Sequence, residues 1–224
     1  SIVLGGVAFA VGPTHAQQAA TAEYRVNAGS GTVSAVDGGM DWTPPGSTSG
    51  VTVSGGSTYE AYSGTVDLDS SVPSGTPTKI FGSELYGDQQ WTFSDGVDSS
   101  QEYEVRLYFA EIYQGVSGGN PEGGDGARVF NASVEGQQFL DDYDIYADVG
   151  PETGVMKSTT VAPTDGTIDI ELTTEVDNAK ISAVEIVPSE PEPDTLGGSS
   201  SVDFGTVVAG DSGAETVTLT NLGE

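Results

Sequence analysis

The 224-residue chain has no cysteine, one histidine and only six lysines and arginines. Without cysteine there can be no disulfide, no thiolate zinc site and no thiol nucleophile. The single histidine is His15, inside an apolar N-terminal stretch. A Ser-His-Asp triad or a histidine-based zinc centre therefore cannot be assembled in the remainder of the chain. Against six cations stand 34 acidic residues, for a formal net charge of −28. Such a surface repels phosphate backbones and anionic lipid, which argues against nucleic acid as a partner. The acids are dispersed, as on a folded acidic surface, and form no block of the kind found in disordered tails. This balance fits a halophilic protein, because at molar salt the Debye length falls to about 3 Å and self-repulsion is screened. An ordinary acidic secreted protein is the alternative. No run is apolar for long enough to span a bilayer, so no membrane insertion is expected.

Residues 2–11 are apolar and rich in Gly and Ala, and Pro13, Thr14, His15, Ala16 and Gln17 follow. This pattern reads as a signal peptide over residues 1–16, with a small-residue cleavage site after Ala16. Its initiating Met and basic leading segment are missing, so the leader is expected to begin upstream. A first β-strand is the alternative reading. Export implies an extracellular or cell-surface location.

The 32 glycines are scattered with Ser, Thr, Asp and Pro between short apolar runs, which is the punctuation of an all-β protein. Period-2 alternation marks the strands. Tyr103, Val105, Leu107 and Phe109 share one face, and Glu104, Arg106 and Tyr108 the other. Phe130, Ala132 and Val134 mark a second strand, Ile168, Ile170 and Leu172 a third, and Val51 with Val53 and Trp91 with Phe93 shorter ones. Residues 181–187 are apolar on both faces, as in a central strand. Turn signals at Asp37-Gly38, Gly55-Gly56, Asp95-Gly96, Glu135-Gly136 and Asp165-Gly166 separate these runs. The expected fold is an antiparallel β-sandwich or jelly roll. Two long loops are expected, at 114–126 and at 141–154. Alternating Pro and Glu from 188 to 194 open a linker over 188–200. Residues 201–224 read as the first strands of a further β domain. Three strands at most cannot close a core, so a longer natural chain is expected.

Several motifs in order resemble malectin-type domains: YRVNAG at 24–29, VRLYFAEIY at 105–113, RVFNASVEG at 128–136, LDDYDIY at 140–146 and EVDNAKISAVEI at 175–186. The resemblance spans residues 23–187. It implies a β-sandwich, of the broader galactose-binding-like kind, whose loops form a sugar site, usually as an accessory module of a larger extracellular protein. The tail from Val202 resembles the opening of immunoglobulin-like modules.

A pyranose offers an apolar face and a rim of hydroxyls, so a sugar site needs aromatic rings beside carboxylates or amides. By resemblance, Tyr113, Tyr86 and Asp177 match binding positions of the family, and Tyr59 matches a third tyrosine, with Tyr62 competing for that role. Where the family often has a second aromatic after Tyr113, this chain has Gln114, a departure that bears on which disaccharide is bound. Asn178 and Glu111 flank these positions. Structural roles stand beside each: Tyr113 as a strand cap, Tyr86 as a packing residue, Asp177 as a turn or surface acid. Trp42 and Trp91 read as core.

Two carboxylates suffice for a glycosidase, but among 34 acids some pair is always suitably spaced, so spacing carries no signal here. Asp141, Asp142, Asp144 and Asp148 offer oxygen ligands of the type calcium takes, at spacings unlike an EF-hand. No other cofactor is expected. Asn131-Ala132-Ser133 is an N-glycosylation sequon on the outward face of its strand. The reading that results is non-catalytic binding of an oligosaccharide or polysaccharide. The alternative is an adhesive spacer that has kept the sandwich and lost the sugar.

Overall fold

A computed structural model describes residues 24–29, 31–60 and 62–189, together with two dipeptides farther on. These fall into two units, parted after Ser189. In the second unit, Leu196–Gly197 pairs antiparallel with Thr220–Asn221. The leader expected over residues 1–16 lies outside the described residues. So does the immunoglobulin-like stretch, apart from Thr220–Asn221.

The first unit is a two-sheet sandwich. Its strands are β1 (Tyr24–Asn27), β2 (Val51–Tyr59), β3 (Asp67–Leu68), β4 (Glu84–Phe93), β5 (Tyr103–Ala110), β6 (Val129–Val134), β7 (Gln137–Tyr143), β8 (Thr153–Val161), β9 (Ile168–Val176), β10 (Lys180–Ile181) and β11 (Ala183–Pro188). One sheet has the order β1-β11-β5-β8-β3 and the other β10-β4-β9-β6-β7, with β2 also on β4. All named pairings in this unit are antiparallel except β3 with β8. The alternating residues of β5, β6 and β9 meet between the sheets. There Val105, Leu107, Phe109, Phe130, Ala132, Ile168, Ile170 and Leu172 form one core with Trp91 and Phe93. Removing that apolar surface from water is the main force that holds the two layers together.

The outer face of β5 is also covered. Tyr108 lies in a second core with Trp42, Phe81, Ile80 and Ile112, with the Trp42 and Tyr108 rings edge-on at 5.3 Å. Beside it runs a ladder of charge across three paired strands: Arg25 of β1, Glu185 of β11 and Arg106 of β5. Both tryptophans are buried, in line with the expected core role.

Two expectations are corrected. The stretch 141–154 is not a loop: it holds the end of β7, a helix α1 (Ile145–Val149) and the start of β8. Asp144 caps that helix by accepting from the Ala147 amide. Residues 181–187 are not one strand either. Lys180–Ile181 pairs with β4 in one sheet, and after Ser182 the chain passes to the other sheet, where β11 lies between β1 and β5. Within β11 the expectation of a central strand holds, because Val184 and Ile186 meet the main core and Ala183 the second core on the other face.

Candidate functional site

The site lies where β2, β4 and β10 meet. In β4, Leu85 points into the core, so alternation sends Glu84 and Tyr86 to the opposite face. In β2, Val51 and Val53 pack on the same core, and a bulge between Gly55 and Ser57 then shifts the register by one residue. A one-residue shift reverses the sense of every later side chain, and Tyr59 thereby comes opposite Glu84. Glycine is required at the bulge. Gly55 has φ of 77°, and a Cβ there would lie 2.3 Å from the Asp88 carbonyl oxygen.

The remaining groups come from chain that has just left, or is about to enter, a strand. Tyr113 follows β5, and Arg128 precedes β6. Asp177 and Asn178 sit between β9 and β10, which pair with successive parts of β4. The chain leaves the β4 edge after β9 and returns as β10, and Asp177 is carried on that excursion at φ of 59°.

Tyr59, Tyr86, Tyr113 and Asp177 line one cleft of about 300 Å³, together with Glu84, Arg128 and Asn178. All four residues singled out from the sequence are thus brought together, at the small end of the usual range for ligand sites. Tyr113 is 46% exposed, a large aromatic surface left open to solvent. Tyr62 stands outside this cleft.

Beneath the rings is a buried charge network. Arg128 Nε donates to Glu111 Oε2 at 2.7 Å, its Nη2 lies 3.1 Å from Asp177 Oδ2, and its Nη1 donates to the Asn178 carbonyl at 2.5 Å. Lys180, fully buried, pairs with Glu84 and lies 3.9 Å from Glu111. Burial works to raise the Glu111 pKa, but Lys180 and Arg128 outweigh it and hold the group below the ordinary carboxylate value. Glu111 also accepts the Tyr113 and Gln114 amides, each at 2.9 Å, which fixes the backbone that presents Tyr113.

Gln114, the departure from the family pattern, is buried and does not line the open cleft. Its Nε2 donates to Asp177 Oδ2 at 3.0 Å, and its Oε1 accepts from Asn120 at 2.7 Å. It therefore braces Asp177 and the loop that follows Tyr113. Glu111 does not line the cleft, and its place below explains its position in the motif. Arg128 and Glu84 were not singled out beforehand. The signal available was their charge: a cation directly before a strand and an acid at the head of another.

The four aspartates considered for calcium have protein partners: Asp141 with Gln138, Asp142 through its amide with Asn131, Asp144 with Ala147 and Gly126, and Asp148 with Lys157 and Tyr143. Among the described residues no group of three His, Cys, Asp or Glu side chains is placed to hold a metal ion. Asn131 Nδ2 donates to Glu175 at 2.8 Å, on the outward face of β6. Among the described residues no helix is long and apolar enough to cross a membrane.

These features define a β-sandwich module with an open, tyrosine-walled and acid-rimmed cleft at the ends of its strands. Residues 22–184 match the malectin domain, and the chain belongs to that family. The same fold occurs in the plant receptor-like kinase FER, at 19% identity and a TM-score of 0.60, over 75% of this chain and 49% of that one. The ANXUR2 extracellular domain from Arabidopsis thaliana is similar at 18% identity and a TM-score of 0.60, over 75% and 48%. A Bacteroides uniformis beta-glucuronidase is similar at 13% identity and a TM-score of 0.56, over 75% of this chain and 18% of that one. The chain thus spans about half of the receptor chains and under a fifth of the glucuronidase. No curated protein matches it.

Proposed function

We propose that this domain is a non-catalytic carbohydrate-binding module of an extracellular or cell-surface protein, and that the cleft takes a sugar unit of an oligosaccharide or polysaccharide. The observation that carries this reading is the convergence of Tyr59, Tyr86 and Tyr113 on one cleft with Asp177 at its rim. Tyrosine rings offer apolar faces to the C–H face of a pyranose, and their hydroxyls reach its rim. Asp177 accepts ring hydroxyls through an oxygen fixed by its neighbours. Membership of the malectin family supports the same ligand class.

Binding is favoured over catalysis by the contacts of the cleft's acids. A glycosidase needs two carboxyl groups that are free to flank the scissile bond. Here Glu84 is paired with Lys180, and Asp177 with Arg128. The extracellular assignment is supported by the similar fold of the ANXUR2 extracellular domain.

Calorimetric titration against a glycan array hit, in concentrated salt, tests the reading. Tyr113→Ala and Asp177→Ala should each weaken binding at least about tenfold, the loss expected for one stacking ring or one charged hydrogen bond. If no glycan binds, the adhesive spacer replaces this reading. Turnover of a bound glycan by the isolated chain would instead revive an enzyme.

A further inference from the structure

We propose that the sugar site does not end at the first cleft but continues across the Tyr59–Glu84 rung into a second cleft, so that the module binds a chain of neutral sugar units. This extension rests on the saccharide reading of the first cleft.

The linings of the two clefts include residues that are neighbours in the chain. Tyr59 and Glu84, a cross-strand pair at the ends of β2 and β4, line the first. The next residues outward on the same two strands, Glu60 and Ser83, line the second. Successive residues lie about 3.8 Å apart along a chain, less than the width of a sugar ring. The second cleft holds about 540 Å³, which exceeds the first.

Its lining has the chemistry of a polyol site. Tyr62 contributes an aromatic ring, and its hydroxyl donates to Glu152, which holds the ring in place. Lys79 is a donor, and Thr65, Thr78 and Ser83 can donate or accept. Sugar hydroxyls both donate and accept, so a neutral ring uses all of these. A carboxylate could only accept, and it would meet the field of a chain of net charge −28. Lys79 is also unlike the other cations. Arg25, Arg106, Arg128, Lys157 and Lys180 are all in ion pairs, whereas Lys79 is exposed and makes none among the described residues. In a chain of net charge −28, an ammonium on a cleft wall with no ion pair among the described residues is a donor that a ligand can use.

The test uses neutral oligosaccharides of increasing length, from disaccharide to hexasaccharide, drawn from a glycan array and measured by calorimetry at constant high salt. Affinity should rise by roughly tenfold or more between the shortest and the longest binder, because the added units engage a second set of contacts without a second association cost. Lys79→Ala should shrink that length advantage several-fold. Gly31→Trp should abolish it. Gly31 lies on the second cleft, and a Cβ there meets nothing within 4 Å, so the backbone has room to carry a side chain at this point of the cleft. Tyr113→Ala, by contrast, should weaken every length. Disaccharide binding with no gain on lengthening, or a gain that survives both Lys79→Ala and Gly31→Trp, overturns the second cleft and leaves the first intact. A preference for uronate-containing chains overturns the neutral-ligand assignment. Absence of binding at every length overturns the parent reading and this one together.

Discussion

Arg128 Nη2 lies 3.1 Å from Asp177 Oδ2, and Asp177 sits at φ of 59°. The two facts belong together. A left-handed backbone costs a non-glycine residue of the order of 1 kcal/mol, and the carboxylate that would relax it is held by Arg128, Gln114 and Asn178. The site thus keeps an acid where the backbone would favour glycine. Asp177→Gly separates the two effects. Relief of the backbone strain offsets part of the lost pairing with Arg128 and Gln114, so the melting temperature should fall only modestly, while glycan affinity drops at least about tenfold through loss of the charged acceptor. A large loss of both would mean that Asp177 is chiefly structural.

Arg128 bears on stability in its own right. It is nearly buried and faces the fully buried Glu111. Arg128→Gln leaves that carboxylate with Lys180 at 3.9 Å as its remaining cation. Removing one partner of a buried pair costs about 3–5 kcal/mol. We expect a loss toward the lower end, because Lys180 still offsets part of the charge. Urea unfolding should show a lower midpoint at an unchanged slope. No shift in midpoint would mean that Lys180 alone compensates Glu111.

How much of this was legible in the sequence follows from which physical signal each part uses. β5, β6 and β9 alternate cleanly because one face of each meets the main core. The four cleft residues were visible only through the family resemblance, because residue type alone does not separate them from a strand cap, a packing tyrosine or a surface acid. The second core was not visible. Trp42, Val66 and Val72 come from irregular segments, and Ile80 and Phe81 from a 3-10 helix (Thr78–Gly82) too short to show a period, and they assemble only because Tyr108 and Ala110 face outward from β5. The support under the cleft was hidden for a related reason. Glu111, Lys180 and Glu84 are spread along 97 residues of an acid-rich chain, in which one more carboxylate attracts no notice.

Gly154 tests the second core. It lies in β8 opposite Ala110, and a Cβ there would come within 2.8 Å of the Phe81 ring. Phe81 is fully buried and packs edge-on against Tyr108, so the ring has nowhere to retreat. Gly154→Ala should destabilise the domain by about 1–3 kcal/mol, the usual cost of overpacking. Retention of the wild-type melting temperature would show that this core yields more readily than a close-packed one.

Acid should unfold the domain through specific carboxylates. Asp37 is lowered from 3.8 to about 2, first by its hydrogen bond to Arg25 and then by the Gly39 amide. Glu111 is lowered by Lys180 and Arg128 against its burial. A depressed pKa contributes stability that is complete above the unfolded value and is lost as pH falls through the folded one. At constant high salt the melting temperature should therefore be flat near neutrality, then fall steadily from about pH 4 towards pH 2. Asp37→Asn should remove part of that slope. A melting temperature unchanged from neutrality down to that range would contradict the linkage.

Salt sets the remaining balance. Five of the six cations are already in ion pairs, yet the formal charge is still −28. Salt weakens exposed pairs and self-repulsion alike, but the pairs around Glu111 and Lys180 are buried and screened far less. The net effect of added salt is thus to relieve repulsion while the interior pairs persist. Raising KCl from about 0.1 M to about 1 M, which shortens the Debye length from roughly 10 Å to 3 Å, should raise the melting temperature by several degrees. Glu122 and Asp125 are exposed, so Glu122→Gln with Asp125→Asn should raise the low-salt melting temperature and leave the high-salt value nearly unchanged. If the gain is equal at both salt levels, the effect is local to those two residues, and long-range repulsion does not govern the stability of this acidic fold.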